Sequence, residues 1–512
     1  MKKIVIIGGG IAGLTAGIFA QKNGFESVIL EKHHTLGGEC TGWDRQGYHI
    51  DGCIHWLVGT KEGTPLRELW NTVGALDGVE IYHPESFMAV EHESVTVHFY
   101  RDIERLKSSW LEISPEDKDV IEELCEDIKL LQSFTMPTGK PMDMMNMVEK
   151  IKFMLSMKDA GMIMKKYNKV TFKEFANRFK HPALRMAIYS FMPEGEYSVS
   201  SIIFALGTFT GEQSSIPIGG SKAMAQRMVE RYISLGGTVE SSCEVVGLDI
   251  IGEKVQQVKC SNGKSFEGDY IIAACDANVL YERLLKGQYP DPEFQKRYND
   301  PEVYPLASNI YVGIGYEGTM EDIPRTLKFP VESVDIMQNN KPIEHLQMTH
   351  YAYEPDFAPQ GHTVITFAIN QFQHELETWE ALDKDKEAYK KEKKRIGEEV
   401  MKAVENRFPQ MGGKLKLLDV ASPQTYEHYC NAYRGAFMGF WPTLRGKSLQ
   451  HTGRIKGLEN MVLSGQWLQP PGGLPIAVIT GKDTVMRLCK KLKRPFNPPL
   501  HGETGSVEIM SP

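Results

Sequence analysis

The sequence predicts an α/β fold in which a domain built on a parallel sheet, assembled from three separate pieces, carries an inserted α+β domain. Two observations predict it. The first thirty or so residues follow the pattern strand, glycine-rich turn, helix, strand, and two later stretches return to that pattern after long segments of different character. At 512 residues the chain is long enough for two or three domains, each with its own core.

The first piece is a βαβ unit. Residues 4–7 form a continuous apolar run, typical of a parallel strand buried on both faces. A glycine loop follows, then a helix predicted over residues 14–23 and a second apolar strand over residues 27–30.

The second piece begins with a helix predicted over residues 221–235, and the third is a short strand at 460–464 followed by a helix over about 476–490. Strands are also predicted over residues 238–251, 254–260 and 265–274. The predicted boundaries are residues 1–75, 215–285 and 455–493 for the sheet domain, 76–214 and 286–454 for the inserted domain, and 494–512 for an extended or disordered tail.

The inserted domain has segments of three kinds. Residues 100–180 are mostly helical in pattern, and residues 300–370 are typical of strands. Residues 374–408 form a strongly charged helical stretch, which we expect to present a solvated face.

Composition excludes several classes of protein. The net charge of −8 argues against a nucleic-acid partner, because such domains usually carry a basic excess. No apolar run reaches the roughly 18 residues that span a bilayer. The eight cysteines are scattered without metal-ligand spacing, which predicts no metal site and a reducing compartment. We therefore expect a cytoplasmic protein, with contact to a membrane surface left open.

The glycine loop has the form G-x-G-x-x-G, from Gly8 to Gly13. Gly8 allows a tight turn, Gly10 lets the backbone approach a pyrophosphate, and Gly13 lets the helix pack close to the strand. Ile11 and Ala12 begin the helix, whose N-terminus supplies amide donors and a positive dipole.

An acid stands where a dinucleotide site needs one. Glu31 lies 23 residues past Gly8, at the end of the second strand, where a carboxylate accepts hydrogen bonds from the adenosine ribose. The adjacent Lys32 is assigned to the same adenosine end of the dinucleotide. With strand, helix and acid all in place, the sequence predicts a dinucleotide site.

A second G-x-G-x-x-G, from Gly313 to Gly318, has none of this context. The residues after it contain two prolines and no apolar period, so no helix follows. We interpret it as a strand and turn. The chain therefore offers one dinucleotide site and no dedicated NAD(P)H domain.

Two further motifs select the dinucleotide. Gly37 and Gly38 follow Glu31 in an E-x5-G-G pattern, which resembles the signature of the glutathione-reductase-like FAD proteins. The C-terminal segment is similar to the closing motif of that superfamily, where a helix N-terminus points at the flavin. The resemblance implies a glutathione-reductase-like Rossmann FAD-binding domain, and its cofactor contacts in the C-terminal segment would be Gly465, Gln466, Leu474, Pro475, Ile476 and Ala477.

Within that superfamily the chain most resembles the phytoene desaturases, carotenoid isomerases and retinol saturases. Three stretches carry the resemblance: residues 37–56, residues 217–220 with the helix and strands after them, and residues 422–436 continuing to the closing helix. In the second stretch Val245 matches a position that contacts the adenine end through its backbone. One departure is Glu39, because many relatives have an arginine there, and we assign it no cofactor role.

Candidate substrate residues follow from the resemblance. The D-x-G loop approaches the flavin in these families, so His55 is the leading candidate for proton transfer, with a purely structural role as the alternative. Tyr426, Tyr429, Tyr433 and Trp467 would line the pocket or simply pack. The eight methionines between residues 142 and 164, with lysines among them, suit an apolar substrate wall, a membrane-facing patch or a helical core.

The predicted function is that of an FAD-dependent oxidoreductase that desaturates, saturates or isomerises carbon–carbon bonds of a small hydrophobic isoprenoid or polyene substrate. Two alternatives stay open: a flavin amine oxidase, and a non-catalytic FAD- or lipid-binding protein. The sequence does not identify the electron partner.

Overall fold

The computed structural model describes residues 1–192, 197–332, 334–338 and 341–497. The strands are β1 (Lys3–Ile7), β2 (Glu26–Leu30), β3 (Gly42–Arg45), β4 (Tyr48–Asp51), β5 (Leu57–Val58), β6 (Ile81–Tyr82), β7 (Ser86–His92), β8 (Val95–Tyr100), β9 (Ser214–Pro217), β10 (Thr238–Glu240), β11 (Val245–Ile251), β12 (Lys254–Cys260), β13 (Ser265–Phe266), β14 (Tyr270–Ala273), β15 (Ser308–Tyr316), β16 (Thr326–Pro330), β17 (Met337–Gln338), β18 (Lys341–Pro342), β19 (His345–His350), β20 (Thr363–Gln371), β21 (Leu415–Ala421) and β22 (Met461–Leu463).

The helices are α1 (Ile11–Lys22), α2 (Pro65–Thr72), α3 (Ile103–Ile113), α4 (Lys118–Leu130), α5 (Met147–Ser156), α6 (Lys158–Tyr167), α7 (Phe172–Ala176), α8 (Pro182–Tyr189), α9 (Ser200–Thr210), α10 (Gly220–Ser234), α11 (Pro292–Tyr298), α12 (Gln373–Leu382), α13 (Lys386–Arg407), α14 (Pro423–Cys430) and α15 (Leu474–Lys491). In the described part of the chain, none of them is long and apolar enough to cross a membrane.

A parallel five-stranded sheet has the order β10-β2-β1-β14-β22. Alternate residues of β1 point to opposite faces. Ile4 and Ile6 pack with residues of α1, α10 and α15, whereas Val5 and Ile7 pack with residues of the antiparallel strands β11 and β12. Both faces are therefore covered, which explains the uninterrupted apolar run of β1. The α/β fold predicted from the sequence is confirmed.

Two strands predicted as continuous are each divided between two sheets. The stretch predicted over 238–251 is β10, in the parallel sheet, and β11, in the antiparallel sheet of β11, β12 and β13. The stretch predicted over 265–274 is β13 and β14, which also lie in different sheets. Apolar and polar residues keep alternating where the chain passes from one sheet to the other. Periodicity alone therefore does not reveal either passage. The domain boundaries themselves stay a prediction.

The second large sheet is mixed, with the order β21-β15-β20-β19-β16-β7-β8. The predicted charged stretch forms α12 and α13, and α13 buries only its apolar face against this sheet. The helices α3, α4 and α6 to α9 form a separate core with β7 and β8. Of the predicted tail, residues 498–512 lie outside the described residues, while Phe496 stacks on Phe19 of α1 with 5.5 Å between ring centroids.

The hairpin of β3 and β4 joins the two halves of the molecule. It lies against β15, where a Cβ at Gly313 would meet Ile50 Cδ1 at 2.7 Å and a Cβ at Gly315 would meet Tyr48 Cζ at 2.7 Å. The first four residues of the second G-x-G-x-x-G thus lie in β15, a strand buried along its whole length, and the last two follow its end. Its glycines let the hairpin approach the mixed sheet.

Candidate active site

The turn between β1 and α1 forms an open cradle. Gly8 has a φ of +100°, and a Cβ there would meet the Ala274 carbonyl oxygen at 2.6 Å. A Cβ at Gly13 would overlap the Gly8 carbonyl. Gly10 differs, because a Cβ there would meet nothing closer than 3.9 Å. Gly10 therefore borders open space, beside the amide groups of residues 11–13, which have no acceptor within their own helix.

Glu31 follows β2 and directs its carboxylate at this turn. Oε2 accepts a hydrogen bond from the Gly9 N–H at 2.7 Å, and Oε1 accepts one from the His33 N–H at 2.8 Å. Burial raises the pKa of Glu31, while these two hydrogen bonds act in the opposite direction. Each oxygen keeps a free lone pair, so the carboxylate can still accept from a ribose hydroxyl.

The double glycine brings a second loop to the cradle. The Gly37 N–H donates to the Gly9 carbonyl oxygen at 2.9 Å. Gly38 has a φ of +61°, and a Cβ there would meet Gly10 Cα at 3.2 Å. The two loops therefore touch backbone to backbone on one side of the space beside Gly10.

The C-terminal segment approaches the start of α1. Gly465 has a φ of +122°, and a Cβ there would lie 3.6 Å from Ala12 Cβ. Gln466 Oε1 accepts a hydrogen bond from the Gly473 N–H at 3.0 Å and so fixes the turn before α15. The first turn of α15 contains Leu474, Pro475, Ile476 and Ala477. Pro475 is tolerated there, since the first amides of a helix have no intrahelical acceptor.

Two predicted cofactor residues have side chains that are occupied within the protein. Val245 is buried below the parallel sheet and pairs with Cys260 across β11 and β12. Lys32 Nζ donates to the His428 carbonyl oxygen at 2.5 Å and to Asn431 Oδ1 at 2.8 Å. Any contact of Lys32 or Val245 with the cofactor would therefore involve the backbone.

Asp51 fixes the loop that carries His55. Oδ1 accepts hydrogen bonds from the N–H groups of Cys53 and Ile54 at 3.1 Å and from Ser221 Oγ at 2.6 Å, and Oδ2 accepts from the Ser221 N–H at 2.5 Å. The residue before Ser221 is Gly220, where a Cβ would overlap the Asp51 carboxylate. The first and second stretches of the family resemblance thus meet at the N-terminus of α10.

His55 lies beside the mixed sheet. Its ring is 6.2 Å from the Tyr311 ring, centroid to centroid, and its carbonyl oxygen accepts a hydrogen bond from Arg325 Nη2 at 2.9 Å. Burial, and next the charge of Arg325, lowers the pKa of His55 to about 4, although Asp51 acts in the opposite direction. The imidazole is therefore neutral at neutral pH.

Among the described residues, Glu39 has no ion pair with a basic side chain to offset its charge. Burial raises the pKa of this carboxyl to about 8, the nearby Asp276 raises it further, and a hydrogen bond with Gln466 acts in the opposite direction. At neutral pH the carboxyl is thus mostly protonated. A protonated carboxyl does not repel an anion beside the cradle, so an acid is tolerable at a position where many relatives have an arginine.

The four aromatic residues predicted from the third stretch are dispersed. Tyr426 donates to Asn309 Oδ1 at 2.7 Å, and Glu39 is among the groups that raise its pKa. Tyr429 is exposed and meets the His33 ring edge-on, 5.3 Å between centroids. Tyr433 and Trp467 pack around Tyr298. Two of the four are linked to the interior around Glu39, Tyr426 through its side chain and Tyr433 through its N–H, which donates to Asp276 Oδ2 at 3.2 Å.

The sequence did not single out Arg325 or Tyr311, which contact the His55 loop from the mixed sheet. Tyr311 donates from its hydroxyl to the Asp51 carbonyl oxygen at 2.7 Å. The only sequence signal near Tyr311 is the second glycine motif, which begins two residues later. No pattern marks Arg325.

The residues present fit FAD. A Cβ at Gly10 would enter space that no protein atom fills, and this space borders the N-terminal amides of α1, which suit a diphosphate. The segment before α15 also approaches the start of α1. The positive end of the α15 dipole lies at its N-terminus and suits negative charge on a flavin ring.

Comparison with known proteins decides the family. The family of flavin-containing amine oxidoreductases matches residues 11–489. The chain belongs to this family. It is accordingly an FAD-dependent oxidoreductase, as the glycine motifs predicted.

Similar proteins include the phytoene desaturase (lycopene-forming) of Pseudescherichia vulneris, 24% identical over 321 residues, which are 61% of this chain and 63% of that protein. The all-trans-retinol 13,14-reductase of Homo sapiens is 24% identical over 475 residues, covering 85% of this chain and 77% of the relative. The prolycopene isomerase 2 of an Oncidium hybrid cultivar is 20% identical, with 85% and 74% covered. The resemblance to desaturases, saturases and isomerases is thereby confirmed.

Solved structures share the fold. An oxidoreductase from Methanosarcina mazei superposes with a TM-score of 0.58 at 15% identity, covering 95% of this chain and 100% of that one. Putrescine oxidase bound to putrescine gives a TM-score of 0.59 at 14% identity, with 96% and 99% covered. At such identities the likeness concerns the fold alone.

Proposed function

We propose that the protein uses FAD to desaturate, saturate or isomerise carbon–carbon double bonds of a hydrophobic polyene or isoprenoid molecule. The observation that carries the proposal is the apolar surface next to His55. Trp56 is 44% exposed, and its ring lies 4.8 Å from the Phe87 ring, which in turn contacts Phe191 and Phe209. This aromatic cluster, exposed at Trp56 and lying beside a neutral imidazole, suits a hydrocarbon chain better than a cationic amine.

Each part of the site would have a separate task. The cradle at Gly10 and the loop at Gly37 would hold the diphosphate, Glu31 would hold the ribose, and the residues from Gly465 to Ala477 would border the flavin. Bound FAD supplies two-electron chemistry by accepting or giving a hydride. His55 would hold or move a proton on the neighbouring carbon, and being neutral it can accept one without first losing one.

An amine oxidase is the second candidate, since the family and one fold neighbour include such enzymes. Those enzymes usually have a lysine that faces the flavin. Lys482 here donates to the carbonyl oxygens of Thr138 and Gly139, and Lys328 donates to the carbonyl oxygen of Ser190 at 3.0 Å. Both of these lysines already donate to backbone carbonyl oxygens, which favours the polyene proposal.

Anaerobic stopped-flow spectroscopy separates the candidates. Chemically reduced holoprotein is mixed with polyenes or enones, and oxidised holoprotein with polyenes or with primary and secondary amines. We expect polyenes to change the redox state of the flavin in at least one direction and amines to leave it oxidised. Reduction by amines alone would establish the amine oxidase, and no change with any compound would favour a non-catalytic FAD- or lipid-binding protein.

The methionine-rich segment supports contact with a membrane surface. No residue of α5 is buried, and Met147, Met154 and Leu155 are 71%, 69% and 69% exposed. A helical core is therefore wrong for this helix. Lysines 150 and 152 lie between these apolar side chains, an arrangement that suits insertion among anionic headgroups.

Co-sedimentation with lipid vesicles tests this contact. We expect the holoprotein to bind vesicles that contain phosphatidylglycerol and to bind phosphatidylcholine vesicles more weakly. Met154→Asp should abolish binding, while Lys393→Asp on α13 serves as a charge-changing control. Equal binding by both variants would rule out α5 as the contact.

A further inference from the structure

Arg325 is a buried cation whose hydrogen-bonding capacity is mostly unused. The residue is only 9% exposed and directly precedes β16. Of its five N–H bonds, one is given to the His55 carbonyl oxygen through Nη2. Within the described ranges, Nε and Nη1 are buried and have no hydrogen-bond partner. Such an arrangement is costly, since buried donors and charges normally have partners.

Two carboxylates of this region already have partners. Asp51, whose charge reaches His55, accepts the four hydrogen bonds described above. Glu354, close to Tyr353, accepts from the Gly219 N–H at 2.8 Å, and burial raises its pKa to about 7. Neither side chain neutralises the guanidinium directly.

The remaining neighbours are aromatic or neutral. The Arg325 Cζ lies 6.0 Å from the centre of the Tyr353 ring, which stacks on Tyr82 at 4.3 Å. His350 donates from Nε2 to the Ile323 carbonyl oxygen at 3.0 Å, and burial lowers its pKa to about 4, so it is uncharged at neutral pH. The guanidinium therefore lies among aromatic rings and a neutral imidazole, next to the loop of the candidate active site.

We propose that Arg325 binds the carboxylate of the substrate, so that the molecule accepted by this protein is a hydrophobic acid. An arginine that also fixes the His55 loop would couple binding of the acid to the position of His55. This inference deepens the function proposed above and rests on it, because it identifies the end group of the molecule that the aromatic surface would accept.

The test uses oxidised holoprotein, with all-trans-retinoic acid and its methyl ester as probes. The two share one apolar skeleton and differ in charge. Each is titrated anaerobically while the flavin absorbance is followed. We expect the acid to bind about tenfold more tightly than the ester, as a hydrogen-bonded buried charge pair predicts. Equal affinity for the two would overturn the proposal, and so would binding of neither.

Variants localise the effect. Arg325→Gln should remove the preference for the acid and leave ester binding unchanged, whereas Arg325→Lys should keep part of it. Arg445→Gln removes the same charge at an exposed position and should change nothing. Loss of ester and acid binding together in Arg325→Gln, with normal flavin content, would assign Arg325 a structural role and reject the anion site.

The outcome also separates this inference from the function on which it rests. Tight acid binding without any electron exchange with polyenes would reject the proposed reaction and keep the anion site. Electron exchange with polyenes, without a preference for the acid, would support the proposed reaction and reject the anion site.

Discussion

The two G-x-G-x-x-G segments have one sequence pattern and opposite uses. At Gly10 in the first segment, a Cβ would project into space that no protein atom fills. At Gly313 and Gly315 in the second, a Cβ would collide with Ile50 and Tyr48, because the space is already filled by the hairpin. Glycine makes room in both cases, for a ligand in the first and for side chains of the same chain in the second.

What separates them is the local context. The first segment turns out of β1 into α1, while the second lies along β15 and ends in a turn. The comparison predicts that substitutions in the first segment affect the cofactor, and that those in the second affect stability.

The largest expected effect is that of Gly10→Val. The side chain should block the diphosphate and abolish FAD retention, yet leave the fold intact, because beyond the chain neighbours the nearest protein atoms lie 3.9 Å from the new Cβ. Flavin content and circular dichroism measure the two quantities. Gly247→Val is the matched control, since nothing lies within 4 Å of a Cβ there either. Normal flavin content in Gly10→Val would contradict the cradle.

The second-largest effect is expected for His55→Ala. This side chain lies on the loop that follows the hairpin packed against the second segment. We expect normal flavin content and a turnover lower by about 100-fold, the usual contribution of a positioned acid or base. In the unsubstituted protein, the form that can accept a proton is lost as the pH falls through the His55 pKa of about 4. Turnover should therefore fall as the pH drops into that range, and above it the titration of His55 should add little pH dependence. Unchanged turnover in His55→Ala would leave the residue a structural role.

Gly315→Val should lower stability and leave flavin binding intact. Overpacking against Tyr48, whose hydroxyl lies 2.7 Å from His362 Nδ1, should cost about 1–3 kcal/mol. Denaturant unfolding followed by fluorescence measures the loss, with Gly247→Val again as control. If the variant lost FAD under conditions where it stays folded, the assignment of the second segment to packing would be wrong.

The smallest effect is expected for Glu39→Gln. The folded-state pKa of Glu39 is raised to about 8, above that of an exposed carboxyl, so the wild type loses stability as the pH rises from the ordinary value towards that pKa. The melting temperature of the variant should equal that of the wild type at about pH 5 and exceed it by about 1–2 °C at about pH 9. Thermal shift assays at both pH values check this, and an offset that is the same at both would contradict a titrating carboxyl.

The sequence predicted the cofactor half of the molecule well, for a physical reason. Contacts around Gly8, Gly10 and Gly13 are made by backbone atoms, so the need for glycine appears directly in the sequence. Even there, the division of residues 238–251 between two sheets could not be predicted, because alternation continues through the crossing.

The substrate half was less predictable. Arg325 approaches His55 from 270 residues away, and only the folded chain brings them together. His55 was found through its neighbours in sequence, and its neutral state depends on burial that the sequence does not reveal. The catalytic assignment of His55 and the cofactor contacts of individual residues stay predictions.

The most direct test of the account is the absorption spectrum of the purified protein and of its Gly10→Val variant. The account predicts a yellow wild-type protein that releases stoichiometric FAD on denaturation, and a folded but colourless variant. A colourless wild-type protein whose melting temperature added FAD does not raise would contradict it.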